Sequence, residues 1–242
     1  MKKGNYGLDA PGIVSIYLVA GAVCLISGLR LSVQTYDYGW LIAVGLILLA
    51  VGGYMIYSSK CGKYKMREKI LKRIAVREND TALDVGCGRG LMLNGLASKL
   101  KTGKAYGIDL WSHKDQSGNN TSAVMKNAKL EGTADRITVQ SADMRKMPFA
   151  DETFSVIVSS LAIHNIKGDE ERKKAILEIA RVAKNGCRIA ILDIAHIQEY
   201  ADILEENDCM VERLDKHLWR MFPPASVLFA RKQKIPVYTS KK

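Results

Sequence analysis

Residues 81–90 read TALDVGCGRG, a short apolar run that leads into three glycines at every second position. An apolar run without alternation is typical of a β-strand that is buried on both faces of a sheet. Glycines directly after such a strand let the backbone approach a ligand closely and present its N–H groups. The segment therefore predicts a buried strand at 81–85, followed by a ligand-binding loop.

The chain after residue 77 alternates between strand and helix patterns. Strands interleaved with helices indicate an α/β protein with a doubly wound, mostly parallel sheet. Further strands are predicted at 105–108, 137–140, 154–159, 188–193, 211–216 and 226–230, and helices at 91–100, 121–130, 172–183 and 198–206. Asp169 is the predicted N-cap of the third helix, and Asn185-Gly186 its stop. Ligands of such sheets bind beyond the carboxyl ends of the strands, where the glycine loop lies.

Acidic residues around the loop narrow the choice of ligand. A dinucleotide fingerprint, GxGxxG, would need its third glycine at position 91, which is Leu91. Asp84 precedes the loop by two positions, where a carboxylate suits a cationic ligand better than a pyrophosphate. Asp109 ends the second predicted strand, where a carboxylate can accept hydrogen bonds from ribose hydroxyls. Together these residues favour a positively charged ligand that contains a ribose.

Three segments, taken in order, resemble the class I S-adenosylmethionine-dependent methyltransferases. They are LDVGCGRG at 83–90, GIDLW at 107–111 and SADMRKMPFADETFSVIVSSLAIHNI at 141–166. The likeness covers about residues 66–231 and is closest to the small-molecule enzymes that include the ubiquinone-biosynthesis methyltransferases. It implies a seven-stranded, Rossmann-like sheet and S-adenosyl-L-methionine as the cofactor.

The resemblance also implies roles for individual residues. The implied cofactor-binding residues are Asp84, Gly86, Cys87, Gly88, Gly90, Asp109, Leu110, Asp143, Met144 and Ser159. Asp84 and the glycine loop would hold the methionine end of the cofactor, and Asp109 would bind its ribose. Leu110 would flank the adenine, and Asp143 would meet the adenine amino group. Ser159 ends the fourth strand, where the methyl group usually points.

Methyl transfer needs a general base only when the acceptor must lose a proton. His164 and His196 are the candidate catalytic residues, because each follows the carboxyl end of a predicted strand. The four histidines are dispersed and the five cysteines scattered, which predicts neither a metal site nor a disulfide framework. Residues 111–120, WSHKDQSGNN, form a polar insert after Asp109. A lid, a substrate-recognition loop and a plain solvated loop are all open interpretations of it.

Two long uncharged stretches, 10–29 and 38–59, precede this region. Each is long enough to cross a hydrocarbon core of about 30 Å as a helix, so residues 1–59 are predicted to form a transmembrane hairpin. Residues 60–77 hold eight basic residues and one acidic residue, which predicts a basic amphipathic helix facing anionic headgroups. Because both outer flanks are basic, both termini are expected in the cytoplasm. A cleaved signal peptide and a buried hairpin of a soluble protein are the alternatives.

The predicted organisation is a membrane anchor at 1–59, a basic juxtamembrane helix at 60–77 and a methyltransferase domain at 78–242. The expected function is in-line methyl transfer to a small, lipophilic acceptor, since anchoring concentrates an enzyme beside a membrane-dissolved substrate. The net charge of +11 raises a nucleic-acid methyltransferase as an alternative. We expect no nucleic-acid partner, because the charge lies beside the apolar stretches and SSLAIHN at 159–165 lacks the (D/N)PP(Y/F) motif. A cofactor-binding scaffold without catalysis is the third hypothesis.

Overall fold

The computed structural model describes residues 4–33, 38–111, 120–218 and 220–233. The chain separates into two compact units. The first contains the described residues of 1–6, 67–219 and 223–242, and the second those of 7–66 and 220–222. Half of the predicted turn between the apolar stretches (34–37) and most of the polar insert (112–119) lie outside the described residues.

The helices and strands are numbered in chain order. The helices are α1 (Pro11–Ser32), α2 (Gly39–Tyr57), α3 (Lys63–Arg73), α4 (Leu91–Ala97), α5 (Thr121–Glu131), α6 (Asp169–Val182) and α7 (Ile197–Glu205). The strands are β1 (Thr81–Val85), β2 (Lys104–Asp109), β3 (Ile137–Ser141), β4 (Phe154–Ser160), β5 (Ala183–Asp193), β6 (Cys209–Leu218) and β7 (Ala225–Lys232). Each of the seven predicted strands is therefore present.

The first unit is built on one seven-stranded sheet with the strand order β3-β2-β1-β4-β5-β7-β6. Strands β1 to β5 pair in parallel, whereas β7 is antiparallel to both β5 and β6. The order of strands reverses between β1 and β4, which is the switch point where open α/β sheets bind ligands. The doubly wound, mostly parallel prediction is confirmed, and the carboxyl ends of β2, β1 and β4 lie side by side.

The strands are apolar because helices cover the sheet. Leu83, Ile108 and Ile157 are fully buried. Ile176 of α6 and Tyr200 of α7 belong to the same buried cluster. Burying a side chain of this kind stabilises the fold by about 1.5–3 kcal/mol. The strand ends that carry the candidate site are thus fixed by a dense core.

The predicted boundaries are wrong where the helix predicted at 172–183, α6 in the structure, meets the strand predicted at 188–193, which is β5. Helix α6 begins at Asp169 and its N-cap is Gly168, so Asp169 is the first helical residue and not the cap. The helix ends at Val182, and Asn185-Gly186 lies within β5, so this pair is not the helix stop. The backbone N–H of Thr153 donates to the Val182 carbonyl at 2.8 Å. A contact from a distant part of the chain therefore completes the end of the helix.

In the second unit, α1 and α2 pack together along a seam of glycines. Gly21 and Gly28 on α1, and Gly45 and Gly52 on α2, each recur after seven residues. A side chain on Gly45 would lie 2.6 Å from the backbone nitrogen of Leu25, so the two helix backbones touch. Small residues at such a contact allow the close approach that stabilises helix pairs in lipid.

The outward faces of this hairpin are apolar. The exposed large apolar side chains are Ile13, Ile16, Val19, Val23, Ile26 and Leu29 on α1 and Trp40, Val44, Leu46 and Ile47 on α2. The helical stretches Pro11–Ser32 and Gly39–Arg73 are both long and apolar enough to cross a membrane by length and composition. Only 17% of the apolar window in each is buried, which does not favour a hairpin buried in the core of a soluble protein.

Helix α3 lies within the basic segment 60–77 and has one apolar side. Its apolar residues Ile70 and Leu71 are buried. A side chain on Gly95 of α4 would lie 2.7 Å from Cδ1 of Leu71, so this face of α3 packs against α4. Lys72 and Arg73 are exposed. The exposed side of this part of α3 is therefore basic.

Candidate active site

The glycine loop after β1 is held between β2 and the loop after β4. The backbone N–H groups of Gly86 and Cys87 donate to the Ile108 carbonyl of β2 at 2.9 and 3.0 Å. Gly86 has a φ of 72°, a conformation that glycine adopts at low cost. A side chain on Gly86 would lie 2.3 Å from Cβ of Ala162, in the loop after β4. Bare backbone is thus required at this point of the sheet edge.

Asp109, at the end of β2, is tied to the glycine loop. Its Oδ2 accepts the Gly88 N–H at 2.8 Å, and its Oδ1 accepts the Trp111 N–H at 2.7 Å. The Trp111 indole N–H donates in turn to Ser141 Oγ at 2.6 Å. Trp111 has a φ of 57°, which is strained for a bulky side chain. The carboxylate is therefore fixed in orientation, and each oxygen keeps a lone pair that can accept a further hydrogen bond.

Asp84, in β1 just before the glycine loop, has a buried carboxyl group. Its side chain is 1% exposed. Neither carboxylate oxygen has a hydrogen-bond partner among the residues that the structure describes. Burial raises the pKa of Asp84 to about 8 and the charge of Asp109 adds to this rise, whereas the nearby backbone N–H of Leu93 opposes it without reaching hydrogen-bond geometry. A cationic ligand group beside Asp84 would supply the missing partner and favour the ionised carboxylate.

His164, in the short helical turn after β4, forms a pair with Asp193 at the end of β5. Nδ1 of His164 lies 2.5 Å from Oδ1 of Asp193, and the His164 backbone N–H donates to Oδ2 at 3.0 Å. Asp193 is 1% exposed and also accepts the Ile194 N–H at 2.8 Å. With a proton on Nδ1, this nitrogen donates to the Asp193 carboxylate, and Nε2 keeps a lone pair that can accept a proton. The structure therefore leaves Nε2 of His164 without a role in the contact with Asp193.

His196 has a different environment. It is the N-cap residue of α7, and its Nδ1 lies 3.2 Å from Oε2 of Glu199. Glu199 is also bonded by the guanidinium of Arg172 at 2.9 Å. The structure thus places His196 beside the salt bridge between Arg172 of α6 and Glu199 of α7, and places His164 in contact with the carboxylate of Asp193.

Comparisons with known proteins agree with this geometry. Residues 83–191 match the family model described as a methyltransferase domain. The sterol 4-C-methyltransferase strm-1 of Caenorhabditis elegans is 31% identical over 131 residues, which are 54% of this chain and 36% of that protein. The 2-phytyl-1,4-naphtoquinone methyltransferase of Nostoc punctiforme is 29% identical over 128 residues, 52% of each protein. A crystal structure of an S-adenosylmethionine-dependent methyltransferase from Aquifex aeolicus shares the fold, with a TM-score of 0.55 and 24% identity over 68% of this chain and 88% of that one.

Residues 83–191 form a class I S-adenosylmethionine-dependent methyltransferase domain. The matched region begins inside β1 and ends inside β5, so it contains the glycine loop, Asp109 and the His164 turn. The chain spans about a third to a half of the length of the two sequence relatives named above.

S-adenosyl-L-methionine is the cofactor of this family, and the residues of the methyltransferase domain fit it. The ammonium group of the cofactor would complete the buried, unpartnered carboxylate of Asp84. The free lone pairs of Asp109 would accept the ribose hydroxyls. Leu110 is 60% exposed beside Asp109, so an adenine ring would cover an apolar side chain that is otherwise in water.

Asp143 and Met144 lie after β3, but Asp143 is already engaged. Arg145 donates to Oδ1 and Oδ2 of Asp143 at 3.0 Å each from Nε, and to Oδ2 at 2.6 Å from Nη2. This pairing lowers the pKa of Asp143. Met144 Cε would lie 3.3 Å from a side chain on Gly86, so Met144 borders the glycine loop. The predicted contact between Asp143 and the adenine amino group would have to be made beside Arg145.

Two further predicted cofactor residues have contacts within the domain. Ser159 is buried and its Oγ donates to the Val85 carbonyl at 2.9 Å, which ties β4 to the end of β1. Cys87 is buried, and burial raises the pKa of its thiol well above the usual value. A thiol of this kind stays protonated and packs as a small apolar group. Both residues shape the loop, and their roles at the cofactor stay predictions.

Sequence reasoning missed two residues of the site. Asp193 ends β5 as Asp109 ends β2, and that shared position was the available signal. Trp111 was assigned to the polar insert, although its backbone N–H fixes Asp109. No local pattern could have shown either contact, because both depend on the path of the chain at the sheet edge.

The environment of Asp84 leads to a first prediction, for Asp84→Asn. The pKa of Asp84 is higher in the folded than in the unfolded protein. The contribution of this carboxyl group to the free energy of unfolding is therefore largest below about pH 4 and is lost as the pH rises towards 8. Asp84→Asn should therefore raise the free energy of unfolding of the cofactor-free protein by on the order of a few kcal/mol at pH 8, and by little at pH 4. It should also weaken binding of S-adenosylmethionine roughly tenfold to a hundredfold, because a charged hydrogen bond is lost.

Denaturant unfolding at the two pH values and calorimetric titration with the cofactor measure both effects. Asp143→Asn is the matched control, since its pKa is lowered and its loss should not stabilise the protein at pH 8. Equal stability of Asp84→Asn and the unmodified protein at pH 8 would contradict the assigned environment of Asp84.

Proposed function

We propose that the protein is a membrane-anchored methyltransferase that transfers a methyl group from S-adenosylmethionine to a small, lipophilic acceptor. The observation that carries the proposal is the buried Asp84 carboxylate, which lies next to the glycine loop and has no hydrogen-bond partner among the described residues. A buried carboxyl group without a partner is costly to ionise, and a ligand with an ammonium group would offset that cost. The names of the two sequence relatives, a sterol and a naphthoquinone methyltransferase, support a lipophilic acceptor.

The membrane anchor is supported by the apolar faces of the hairpin. Ile16 and Val19 are 67% and 63% exposed on α1, and Ile47 is 61% exposed on α2. Exposed apolar patches of this extent are rare in soluble monomers. The 22 residues of α1 and 19 residues of α2 span about 33 and about 28 Å, close to the thickness of a hydrocarbon core. Basic residues on both outer flanks support a topology with both termini in the cytoplasm.

The residues of the domain would hold the reactants and move one proton. When bound, S-adenosylmethionine supplies a methyl group that its sulfonium centre makes electrophilic. Holding the acceptor in line with that group can contribute about 7–11 kcal/mol. His164 Nε2 would take the proton from the acceptor as the acceptor atom bonds to the methyl carbon, while the methyl–sulfur bond breaks and its electron pair stays on the sulfur of the leaving thioether. The Asp193 carboxylate would stabilise the imidazolium that forms, since it already holds Nδ1 at 2.5 Å.

The pair formed by His164 and Asp193 favours the proposed function over its alternatives. A cofactor-binding scaffold has no need for a buried carboxylate that orients an imidazole beside the cofactor loop. The segment 159–165 contains His164 where nucleobase amino-methyltransferases have their (D/N)PP(Y/F) motif. The site is therefore better suited to proton removal from a small acceptor than to a flipped base.

The proposed function predicts where a labelled methyl group goes. Membranes from cells that produce the full-length protein should transfer label from S-adenosylmethionine to products soluble in organic solvent, and not to added RNA or DNA. The activity should stay with the membranes after alkaline carbonate washing, because spanning helices are not released. Membranes with Asp109→Ala measure the background. Label in nucleic acid would contradict the acceptor class, and protein in the wash would contradict the spanning hairpin.

A further inference from the structure

Residues 4–6, here called the N-terminal strap, are built into the methyltransferase unit. The backbone N–H of Gly4 donates to Glu131 Oε1 of α5 at 3.0 Å. The Tyr6 side chain is 2% exposed and is one of the largest fully buried side chains. Burial and the neighbouring Glu131 raise the pKa of Tyr6, which keeps its hydroxyl protonated. The strap is thus part of the packed structure and not a loose leader.

Asn127 of α5 joins the strap to the glycine loop. Its Oδ1 accepts the backbone N–H of Asn5 at 2.8 Å. Its Nδ2 donates to the carbonyl of Asn5 at 3.1 Å and to the carbonyl of Arg89 at 3.0 Å. Asn127 is 2% exposed, so water cannot replace these partners. Because the Asn5 N–H fixes which end of the amide is oxygen, it also directs Nδ2 towards Arg89.

Arg89 lies in the glycine loop, residues 86–90. It stands between Gly88, whose N–H binds Asp109, and Gly90, whose N–H donates to the Cys87 carbonyl at 2.8 Å. Gly90 has a φ of 85° and is the residue before α4. The bond from Asn127 holds the carbonyl of the peptide group between Arg89 and Gly90. The loop is therefore held at two neighbouring points, by Asp109 at Gly88 and by Asn127 at Arg89.

We propose that the strap holds the glycine loop in its cofactor-binding shape, with Asn127 as the positioning residue between them. The inference rests on the cofactor role proposed above. A chain that lacks the strap contact would leave the buried Asn127 amide without a fixed orientation. The Arg89 carbonyl would then lose its donor, and the loop would exchange among several shapes. The strap precedes α1 by only four residues, so the element that braces the loop adjoins the proposed anchor in the chain.

The test is Asn5→Pro in the full-length protein, which removes the N–H that Asn127 accepts. Asn5→Ala is the matched control, because the exposed side chain changes and both backbone bonds to Asn127 stay. Amide hydrogen exchange in the cofactor-free protein should rise about tenfold at residues 86–90 in Asn5→Pro and stay unchanged in β7. The dissociation constant for S-adenosylmethionine should rise by a similar factor. Asn127→Ala should add little in the Asn5→Pro background.

A purely structural role gives a different result. Exchange that rises equally at residues 86–90 and in β7 would mean general destabilisation and would overturn the strap proposal. Unchanged exchange at 86–90 would overturn it as well. Hydrogen exchange tests the strap proposal in the cofactor-free protein, so that result does not depend on cofactor binding. If the unmodified protein failed to bind S-adenosylmethionine in the calorimeter, the proposed function would be overturned instead.

Discussion

Asp109→Ala is expected to weaken the binding of S-adenosylmethionine by about a hundredfold or more. The carboxylate of Asp109 holds the Gly88 N–H at 2.8 Å and the Trp111 N–H at 2.7 Å, and its free lone pairs would accept the ribose hydroxyls. Two hydrogen bonds to a charged acceptor contribute roughly 3–6 kcal/mol together, and the freed loop adds an ordering cost. The dissociation constant should rise about a hundredfold to ten-thousandfold in a calorimetric titration.

The control for this experiment is another aspartate of the same unit. Asp135, in the turn before β3, has a side chain that is 76% exposed, so Asp135→Ala should bind the cofactor as the unmodified protein does. Thermal unfolding of the cofactor-free Asp109→Ala protein shows whether the fold survives the substitution. A folded Asp109→Ala variant with unchanged affinity would mean that the cleft beyond Gly88 is not the cofactor site.

The fold was predictable from sequence where the signals were local. Strands β1 and β4 are short, largely apolar runs, and Thr81–Val85 has the predicted bounds. The junction between α6 and β5 failed because Asn185-Gly186 resembles a helix stop. The actual end at Val182 is set by the Thr153 N–H, which comes from the turn before β4. A boundary that depends on a tertiary hydrogen bond leaves no pattern in the neighbouring residues.

The sequence predicted which residues lie at the candidate site better than it predicted the contacts that these residues make. The glycine loop and Asp109 follow from strand ends and from the resemblance, because both are tied to the edge of a parallel sheet. The guanidinium of Arg145 on Asp143 depends on the shape of one turn, and a sequence does not report that shape. The partner of His164 required the knowledge that β4 and β5 are neighbours, with Ser160 opposite Leu192. Asp193 could be recognised only after that pairing was known.

The second large effect is expected at this pair. His164→Ala should lower kcat about a hundredfold to ten-thousandfold, which is the usual contribution of a positioned general base, and should leave the affinity for S-adenosylmethionine within about threefold. Asp193→Asn should lower kcat about a hundredfold, because an amide can donate to Nδ1 and so favours the tautomer whose Nε2 carries the proton. Methyl transfer to a lipid extract and calorimetric titration with the cofactor separate the two quantities.

His196→Ala is the matched control, since His196 pairs with Glu199 and should change kcat by less than about threefold. Added imidazole provides a sharper criterion, because a small base can enter the space left in His164→Ala and accept the proton. Partial recovery of kcat by imidazole, without a change in cofactor affinity, is expected of a lost base and not of a lost packing contact. If His164→Ala turns over at the unmodified rate, the acceptor loses no proton to this imidazole, and the contact with Asp193 serves to hold the loop after β4 against Gly86.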